Sequence, residues 1–204
     1  MTLSEFDNEI RKDHNVVCGC DEAGRGPLAG DVFAAAVIFD KDTVIEGIND
    51  SKKLTAKKRE ELFDEIMEKA VDFSIQIATV EEIEDINILN AAMLAMKRAV
   101  EDMDTKPDVC LIDGNKTPEG LECPAIAVVK GDAKSQAVAA ASILAKVARD
   151  RYMEQMAEQY PEYRFEKHKG YGTKLHYQMI DQYGPCGIHR MSFLKKYYAK
   201  KNGH

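Results

Sequence analysis

Four acidic residues lie where apolar segments of the sequence end. Asp21 and Glu22 follow the apolar residues 16–20, and Asp113 and Asp132 follow two later apolar segments and adjoin glycines. Because open α/β sheets commonly place their sites at one edge, we expect the four carboxylates to converge there. Converging carboxylates repel one another unless a cation lies between them, and ligands that are all oxygen favour Mg²⁺ or Mn²⁺. Two such ions about 4 Å apart can activate water for phosphodiester hydrolysis.

Each of these acids also has a simpler interpretation. An Asp beside Gly at the end of a strand is most often a turn former, and Asp132 can cap the helix expected after it. Glu22 meets a geometric objection, because neighbouring strand residues point to opposite faces of a sheet. Glu22 joins Asp21 only if the strand bends there, which the following Ala23 and Gly24 make plausible.

The segment from Gly24 to Gly30, here called the Gly-rich turn, follows the first two acids. It resembles a loosened dinucleotide-binding loop. However, the acids before it would repel a pyrophosphate, and the next element is strand-like, so no helix N-terminus meets the phosphate. A tight hairpin turn explains the glycines but leaves Arg25 unexplained. The functional alternative places the exposed backbone of Gly24 and Gly26 against a sugar and Arg25 against a phosphate.

Basic residues gather in parts of the chain despite its acidic total. Residues 164–176 contain four Lys or Arg against one Glu, and residues 190–204 contain five against none. Tyrosines lie among them, and basic residues with aromatics suit phosphate contact combined with stacking on a sugar or base. A solvated face is the alternative for each cluster. We expect His168 on the surface or against a phosphate, and Lys146 and Arg149 lie one helical turn apart.

The composition indicates a globular protein with an acidic total charge. The 204 residues include 45 % hydrophobic and 31 % charged residues, and 28 Lys and Arg against 35 Asp and Glu give a net charge of -7. No run of about 18 apolar residues is present, which excludes a transmembrane helix, and the polar N-terminus argues against secretion. The five cysteines are odd in number and match no CxxC pattern, so we expect buried or free thiols in a cytoplasmic protein, without disulfides or a zinc site.

The hydrophobic pattern predicts the elements that must position these residues. Apolar or alternating segments predict five strands, at residues 16–20, 32–39, 72–80, 109–112 and 125–129. Helical spacing and capping residues predict helices at 55–70, 86–103, 132–160, 173–183 and 190–200, and residues 1–13 form a short polar helix or an unattached end. The order of elements predicts an α/β fold, with a mixed sheet flanked by helices and a helical C-terminal appendage.

Six motifs, in order along the chain, resemble those of type 2 ribonuclease H, the ribonuclease HII family. They are CDEAGRGPLAG at residues 20–30, NDSKKL at 49–54, LIDGN at 111–115, VKGD at 129–132, AAASILAKV at 139–147 and HKGY at 168–171. The resemblance extends over about residues 15–195, which is nearly the whole chain. The Gly-Arg-Gly sequence favours this type over the related ribonuclease HIII.

The resemblance implies an RNase H-like fold and a metal-dependent endonuclease that hydrolyses the RNA strand of RNA–DNA hybrids. It also implies incision on the 5′ side of a single ribonucleotide in duplex DNA, by two-metal-ion hydrolysis that leaves 5′-phosphate and 3′-hydroxyl ends. We expect a catalytic domain over residues 1–185, with the basic helical segment 186–204 packed on or near it. We expect a monomer that binds hybrid and ribonucleotide-containing duplex DNA, without a membrane and without an evident sliding-clamp-binding peptide.

The resemblance also implies roles for individual residues by motif position. The acids that bind Mg²⁺ or Mn²⁺ and act in catalysis would be Asp21, Glu22, Asp113 and Asp132. The 2′-hydroxyl, which distinguishes RNA from DNA, would be recognised by Gly24, Arg25 and Gly26. Tyr171 would stack on the deoxyribose next to the ribonucleotide. Phosphate contacts would come from Lys53, Ser135 and Lys146.

Three other functions remain open from the residues alone. Another nuclease with the same fold, such as a junction resolvase, would cut substrates made of DNA only. A nucleic-acid-binding module without catalysis would bind hybrid equally well in chelator, and nothing in it would require four acids. A nicotinamide enzyme, suggested only by the Gly-rich turn, ranks last.

Overall fold

Five strands form one mixed sheet in the computed structural model, which describes residues 1–49 and 51–201. The strands are β1 (Val17–Ala23), β2 (Val32–Ile38), β3 (Asp72–Ala78), β4 (Val109–Asp113) and β5 (Ala125–Val128). Their order is β3-β2-β1-β4-β5, with β2 antiparallel to both neighbours and β4 parallel to β1 and β5. The predicted mixed sheet is confirmed. Strand β1 continues three residues beyond its expected end, so Asp21 and Glu22 lie inside it.

Seven α-helices in the described part of the chain flank the sheet or follow it. They are α1 (Leu3–Ile10), α2 (Ala56–Lys69), α3 (Val80–Glu101), α4 (Gln136–Gln159), α5 (Phe165–His168), α6 (Lys174–Tyr183) and α7 (Met191–Lys201). The helices expected at 55–70, 173–183 and 190–200 are confirmed within one residue at each end. Residues 1–13 contain the short helix α1, whose residue Asp7 is buried.

The start of α4 differs from the expectation. Asp132 lies in a separate 3₁₀ turn, Gly131–Ala133, and the α-helix begins at Gln136. Ser135 is the N-cap residue, because its Oγ accepts a hydrogen bond from the amide of Val138 at 3.1 Å. The prediction that the helix begins at Asp132, and the alternative that Asp132 caps it, are therefore both wrong.

Helix α3 also begins earlier than expected, at Val80 instead of residue 86. Thr79 and Glu82 form a capping box that starts the helix, a signal the apolar spacing alone does not contain. The backbone of Asn87 then leaves the helical region, at φ 67°. Its side chain accepts bonds from the amides of Leu89 and Asn90, as an N-cap does. The expected start matches this second beginning of the helix.

Helices cover both faces of the sheet, so the central strands are apolar on both sides. In β2, Ala34 and Ala36 face α3, while Ala35 and Val37 face α2 and α4. The packing of α4 on β1 is close: a Cβ on Gly19 would lie 2.2 Å from the backbone carbon of Ala137. Small residues at this crossing therefore hold the start of α4 against β1, next to the acids.

The C-terminal helix packs against the rest of the protein through a separate apolar cluster. Leu194 of α7 is fully buried, in a cluster with Leu28, Met153, Phe165 and Ile180. The division of the chain at residue 185 stays a prediction. The five cysteines are free thiols, as expected. Among the described helices, none combines the length and apolar character needed to cross a bilayer.

Candidate active site

The strand register brings Asp21 and Asp113 side by side. Parallel pairing of β1 with β4 runs from Val17 opposite Val109 to Cys20 opposite Ile112. One residue further along, Asp21 and Asp113 take corresponding positions, and side chains at corresponding positions point to the same face. The pairing stops there, while β1 continues beside β2. The acids therefore stand where the two parallel strands part, the kind of edge at which open sheets bind ligands.

Asp132 reaches this edge through a tight turn after β5. Lys130 adopts a left-handed backbone, at φ 57°, which is uncommon for a residue with a side chain. The turn aims the amide of Gly131 at Asp113, whose Oδ1 accepts its hydrogen bond at 2.7 Å. Asp132, only 8 % exposed, is the next residue. Asp132 thus directly follows the residue whose amide contacts Asp113, although it is not among the residues that line the cleft described below.

Glu22 lies on the opposite face of β1 from Asp21. Asp21 is paired with Ala35, which faces α4, and Glu22 with Ala34, which faces α3. The strand continues through both residues, and the bend expected to bring Glu22 to Asp21 stays a prediction. Both side chains line one cleft, at the point where β1 is no longer paired with β4. Glu22 forms an ion pair with Arg25 at 3.2 Å.

The electrostatics of these acids show their mutual repulsion. Burial raises the pKa of Asp21 well above its ordinary value, and the like charges of Glu22 and Asp113 raise it further. Burial is also the main reason that the pKa of Glu22 is raised, although Arg25 opposes the rise. A hydrogen bond from Ser142 favours the charged form of Asp21. A group of buried carboxylates with raised pKa values is stabilised by a cation placed among them.

As placed, no three His, Cys, Asp or Glu side chains within residues 1–49 and 51–201 are arranged to hold a metal ion. Two of the acids have other partners: Glu22 pairs with Arg25, and Asp113 accepts a hydrogen bond from the amide of Gly131. The pair with Arg25 is partly exposed and therefore weak. The donors are all carboxylate oxygens that repel one another, which is the chemistry a hard divalent cation requires. The residues therefore fit such an ion.

A cleft of about 520 Å³, here called the acid cleft, brings most of the predicted site residues together. Its lining combines the end of β1, the Gly-rich turn and residues from α3, α4 and the later helices: Asp21, Glu22, Ala23, Gly24, Arg25, Gly26, Ser51, Ile88, Ser142, Lys146, Tyr171 and Phe193. Asp113 adjoins it through its electrostatic contact with Asp21 and Glu22. Two of the four acids, Asp21 and Glu22, thus line one space with five of the residues expected to contact the substrate, Gly24, Arg25, Gly26, Lys146 and Tyr171.

The Gly-rich turn is held from below by two buried arginines. Arg190 is fully buried, and its five N–H groups donate to the carbonyls of four turn residues, Gly24, Arg25, Pro27 and Gly30, at 2.6–3.1 Å. Arg149 donates to the carbonyls of Ala29, Asp31 and Lys169. Because these carbonyls point inward, the opposite side of the turn faces the acid cleft.

Sequence reasoning missed this role of the two arginines. The charge pattern places both in basic clusters that could contact phosphates, yet Arg149 and Arg190 are 1 % and 0 % exposed. Burial lowers the pKa of Arg190 to about 9. Nothing in the charge pattern separates Arg190 from the exposed Lys195 and Lys196 that follow it. A long side chain that folds back onto distant carbonyls leaves no periodic signal.

Tyr171 stands beside the Gly-rich turn with 43 % of its surface exposed. A Cβ on Gly26 would lie 3.6 Å from the Tyr171 ring. The backbone before Tyr171 is tied to the turn, because the amide of Leu28 donates to the carbonyl of Gly170 at 2.8 Å. Gly170 is required there, since a Cβ at its φ of 83° would lie 2.6 Å from the Ala29 oxygen. The ring and the turn therefore form one continuous surface.

The three residues expected to contact phosphates lie in different surroundings. Lys146 lines the acid cleft and forms an ion pair with Asp150 at 2.5 Å, and burial lowers its pKa. Lys53 is exposed at the end of the 3₁₀ turn Ser51–Lys53, whose first residue lines the cleft. Ser135 is fully buried as the cap of α4. Its hydroxyl is therefore placed to support the helix and is not accessible to a phosphate.

His168 is buried, so its expected place on the surface or against a phosphate is wrong. Its Nε2 pairs with the carbonyl of Tyr163 at 3.0 Å, and its Nδ1 accepts a bond from the amide of Gly170. Burial lowers its pKa. The basic motif that contains His168 thus carries a structural residue between lysines, and only its last residue, Tyr171, enters the acid cleft.

The mixed sheet with acids at its strand ends is that of a metal-dependent nuclease with the RNase H-like fold. A model of the ribonuclease HII family matches residues 18–196. The chain belongs to this family, whose members cleave RNA endonucleolytically in RNA–DNA hybrids.

Several known proteins are similar to this chain in sequence or in fold. The ribonuclease HII of Caldicellulosiruptor saccharolyticus is 54 % identical over 93 % of this chain and 92 % of its own. The ribonuclease H2 of Pyrococcus horikoshii superposes with a TM-score of 0.75 at 28 % identity, covering 92 % of this chain and 98 % of its own. Ribonuclease HII of Archaeoglobus fulgidus, solved in a complex with PCNA, has a TM-score of 0.67 at 25 % identity, covering 86 % and 94 %.

Proposed function

We propose that this protein incises duplex DNA on the 5′ side of a single embedded ribonucleotide, in addition to cleaving the RNA strand of hybrids. The observation that carries the proposal is the shared cleft. Asp21 and Glu22, the Gly-rich turn and the Tyr171 ring line one space of about 520 Å³. The acids proposed to bind the metal ions and the surface proposed to contact the sugar would then act on the same nucleotide.

The acids hold the metal in this proposal. Asp21, Glu22, Asp113 and Asp132 would bind two Mg²⁺ or Mn²⁺ ions, which supply a water nucleophile and stabilise the leaving oxygen when bound. The protein contributes the placement of the carboxylates: the β1–β4 register sets Asp21 and Asp113, and the Gly131 amide sets the turn that carries Asp132. Glu22, which is paired with Arg25 in the structure, would take the cation as its counter-charge instead.

The Gly-rich turn recognises the ribose in this proposal. The carbonyls of Gly24 and Arg25 are already occupied by Arg190, so the turn cannot collapse toward its own interior. Its outer backbone at Gly24, Arg25 and Gly26 then forms a rigid surface that hydrogen-bonds the 2′-hydroxyl, a group that DNA lacks. A rigid polar surface left unpaired by a deoxyribose discriminates against DNA.

Tyr171 and the lysines read the neighbouring nucleotides in this proposal. The half-exposed ring of Tyr171 would stack on the deoxyribose next to the ribonucleotide. The ring lies beside the Gly-rich turn, 3.6 Å from where a Cβ on Gly26 would stand. Lys146 in the cleft and Lys53 at its rim contact phosphates. Ser135 has no part in binding, because it is buried. Hydrolysis with the 3′-oxygen as leaving group gives 5′-phosphate and 3′-hydroxyl ends.

The test is a set of three end-labelled duplexes that differ in one strand: a single ribonucleotide in DNA, a continuous RNA strand, and DNA only. We expect incision 5′ of the ribonucleotide that leaves a 5′-phosphate and a 3′-hydroxyl. Joining of the products by a polynucleotide ligase identifies these ends. Excess chelator should abolish it. Equal cleavage of the DNA-only duplex, as a junction resolvase on this fold would give, or incision that persists in chelator, contradicts the proposal.

Two further expectations concern protein partners. The A. fulgidus relative was solved with PCNA, and the expected absence of a clamp-binding peptide in this chain stays a prediction. The expected monomer is also a prediction. Size-exclusion chromatography with light scattering, alone and with a sliding clamp, tests both together.

A further inference from the structure

Three histidines and a cysteine form a buried polar network beneath Tyr171. His168 and His176 stack with ring centroids 4.3 Å apart. His176 Nε2 lies 3.0 Å from His189 Nε2, and His176 Nδ1 lies 3.0 Å from the Tyr171 carbonyl oxygen. His176 and His189 are 0 % and 3 % exposed. None of these four side chains lines the acid cleft, and the proposed function gives them no role.

The hydrogen bonds determine where the proton of each ring lies. The amide of Cys186 donates to His189 Nδ1 at 2.9 Å, and an amide nitrogen cannot accept. A neutral His189 therefore carries its proton on Nε2 and donates to His176 Nε2. His176 then carries its proton on Nδ1 and donates to the Tyr171 carbonyl. The result is one directed chain of bonds from the Cys186 amide to the backbone of Tyr171.

Both ends of this chain meet the substrate-reading surface. At one end the His176 bond fixes the backbone of Tyr171. At the other, His189 pairs with Ala29 of the Gly-rich turn as an isolated β-bridge, and the turn's Gly30 amide donates to Ile188 at 2.8 Å. Arg190, the next residue, holds the turn's carbonyls. The residues from Cys186 to Arg190 thus fix the ring and the turn relative to each other.

We propose that His176 and His189 are positioning residues, which set the place of Tyr171 relative to the Gly-rich turn and so tune incision at single ribonucleotides. The inference rests on the proposed role of Tyr171. Neither histidine touches the substrate, and both act through the Tyr171 carbonyl. Their neutral state supports the bond directions, since burial lowers the pKa of each to about 4. At neutral pH the chain therefore has one arrangement of protons.

Two conservative variants of His176 separate positioning from packing. An asparagine amide takes the place of Nδ1, so His176→Asn keeps a donor to Tyr171 and loses the bond to His189. A glutamine amide takes the place of Nε2, so His176→Gln keeps the bond to His189 and loses the donor to Tyr171. Each variant loses one buried hydrogen bond and the ring stack with His168. A purely structural role predicts equal effects of both on thermal stability and on activity.

The readout is the rate of incision at a single ribonucleotide divided by the rate on a continuous hybrid. We expect His176→Gln to lower this ratio by about tenfold, toward the value for Tyr171→Ala, and His176→Asn to restore most of it. Equal ratios in the two His176 variants overturn the positioning proposal. A normal ratio in Tyr171→Ala instead removes Tyr171 from junction reading, which is a failure of the proposed function.

Nitrogen-15 spectra of the imidazoles test the chain independently of activity. We expect His176 protonated on Nδ1 and His189 protonated on Nε2 in the full-length protein at neutral pH. In His189→Gln, whose amide can still donate from the Nε2 position, the His176 tautomer should persist. His176 protonated on Nε2 in the wild type contradicts the direction of the chain and overturns the proposal, whatever the activity of the variants.

Discussion

The two walls of the acid cleft are built by opposite means. The acid wall, formed by Asp21, Glu22 and Asp113, is held by strand register, and its side chains repel one another. The recognition wall, formed by the Gly-rich turn and Tyr171, is held by buried donors from distant parts of the chain. The acid wall therefore places like charges on paired strands. The recognition wall contains a loop in which most backbone carbonyls are held by hydrogen bonds from buried side chains or amides.

This difference teaches where stability and function separate. Removing a charge from the acid wall relieves repulsion between buried groups, so the fold should gain or keep stability while the proposed metal binding would be lost. Removing a donor beneath the recognition wall leaves buried carbonyls unpaired, so stability falls together with function. Mutations in the two walls should therefore move stability in opposite directions, although both reduce cleavage.

The largest effect is expected from Asp113→Asn in the acid wall. Because the amide keeps the shape but not the charge, cleavage should fall by more than about 10³-fold, as when charge stabilisation is lost from an active site. The melting temperature in chelator should stay the same or rise, since one source of the raised pKa of Asp21 is gone. Single-turnover cleavage and thermal denaturation measure the two effects.

A matched control is Asp64→Asn on the exposed surface of α2. It makes the same chemical change away from the cleft, and both measurements should remain at the wild-type values. Cleavage by Asp113→Asn within tenfold of the wild type would remove Asp113 from the metal-binding role. A clear loss of stability in chelator would show that the acid wall is not under repulsion, and the contrast between the walls would fail.

The next largest effect is expected from Arg190→Lys in the recognition wall. Lysine has three donors on a single nitrogen and cannot reach the four carbonyls that the guanidinium bridges. We expect a loss of about 2–4 kcal/mol in the free energy of unfolding, because buried acceptors lose their partners. Urea denaturation measures it. Lys195→Gln, exposed on α7, is the control and should change little; equal stability in the two variants would contradict the buried role.

The acid wall could be predicted from the sequence because its signal is local. Each acid follows an apolar strand directly, so predicting the strands and their shared edge predicts Asp21 and Asp113 together. The sequence did not reveal how Glu22 reaches the same space. Strand β1 is paired with β4 only as far as Cys20, and the register between distant strands leaves no mark in either strand alone.

The supports of the recognition wall could not be predicted from the sequence. The charge pattern predicts basic surface clusters that include Arg149, His168 and Arg190. All three side chains are instead buried and contact backbone groups. Several contacts of the two arginines join residues more than 100 positions apart, as between Arg190 and Gly24. Composition and periodicity describe which face of an element is apolar, and they do not describe a charged side chain that folds under a turn. The capping role of Ser135 was missed for a similar reason, since the preceding acid offered an equally good cap.

The acid stability of the protein should report on the recognition wall. The pKa of His176 and that of His189 are each lowered by burial from 6.5 to about 4. Between these values the unfolded chain binds more protons than the folded one, so the stabilising contribution is complete above pH 6.5 and is lost as pH falls toward 4. The slope should reach up to about 1.4 kcal/mol per pH unit for each histidine.

Urea denaturation between pH 7 and pH 4 measures this slope. The double variant His176→Gln with His189→Gln removes both titrations, and its stability should depend less steeply on pH in that window, whatever its absolute stability. The same slope in the double variant would show that the two histidines are not held neutral, and the buried frame of the recognition wall would have to be explained without them.

The smallest effect, and the sharpest separation of fold from function, is expected at Gly26. Gly24 has a φ of 103° and a Cβ there would lie 2.2 Å from Arg149 Nε, so Gly24→Ala disturbs the buried frame. Gly26 is outside the left-handed region, and its added Cβ would meet only the Tyr171 ring at 3.6 Å, an ordinary contact. We expect Gly26→Ala to change the free energy of unfolding by less than about 0.5 kcal/mol.

Incision should nevertheless fall at Gly26→Ala, because the new methyl group would stand between the turn and the ring, where the proposed function places the ribose. A loss of about tenfold on the single-ribonucleotide duplex is expected from misplacing the sugar, measured under single-turnover conditions beside Gly24→Ala. Gly24→Ala should lose stability and activity together. If Gly26→Ala cleaves like the wild type, the space between the turn and Tyr171 is wider than the sugar, and the ribose is recognised on another part of the turn.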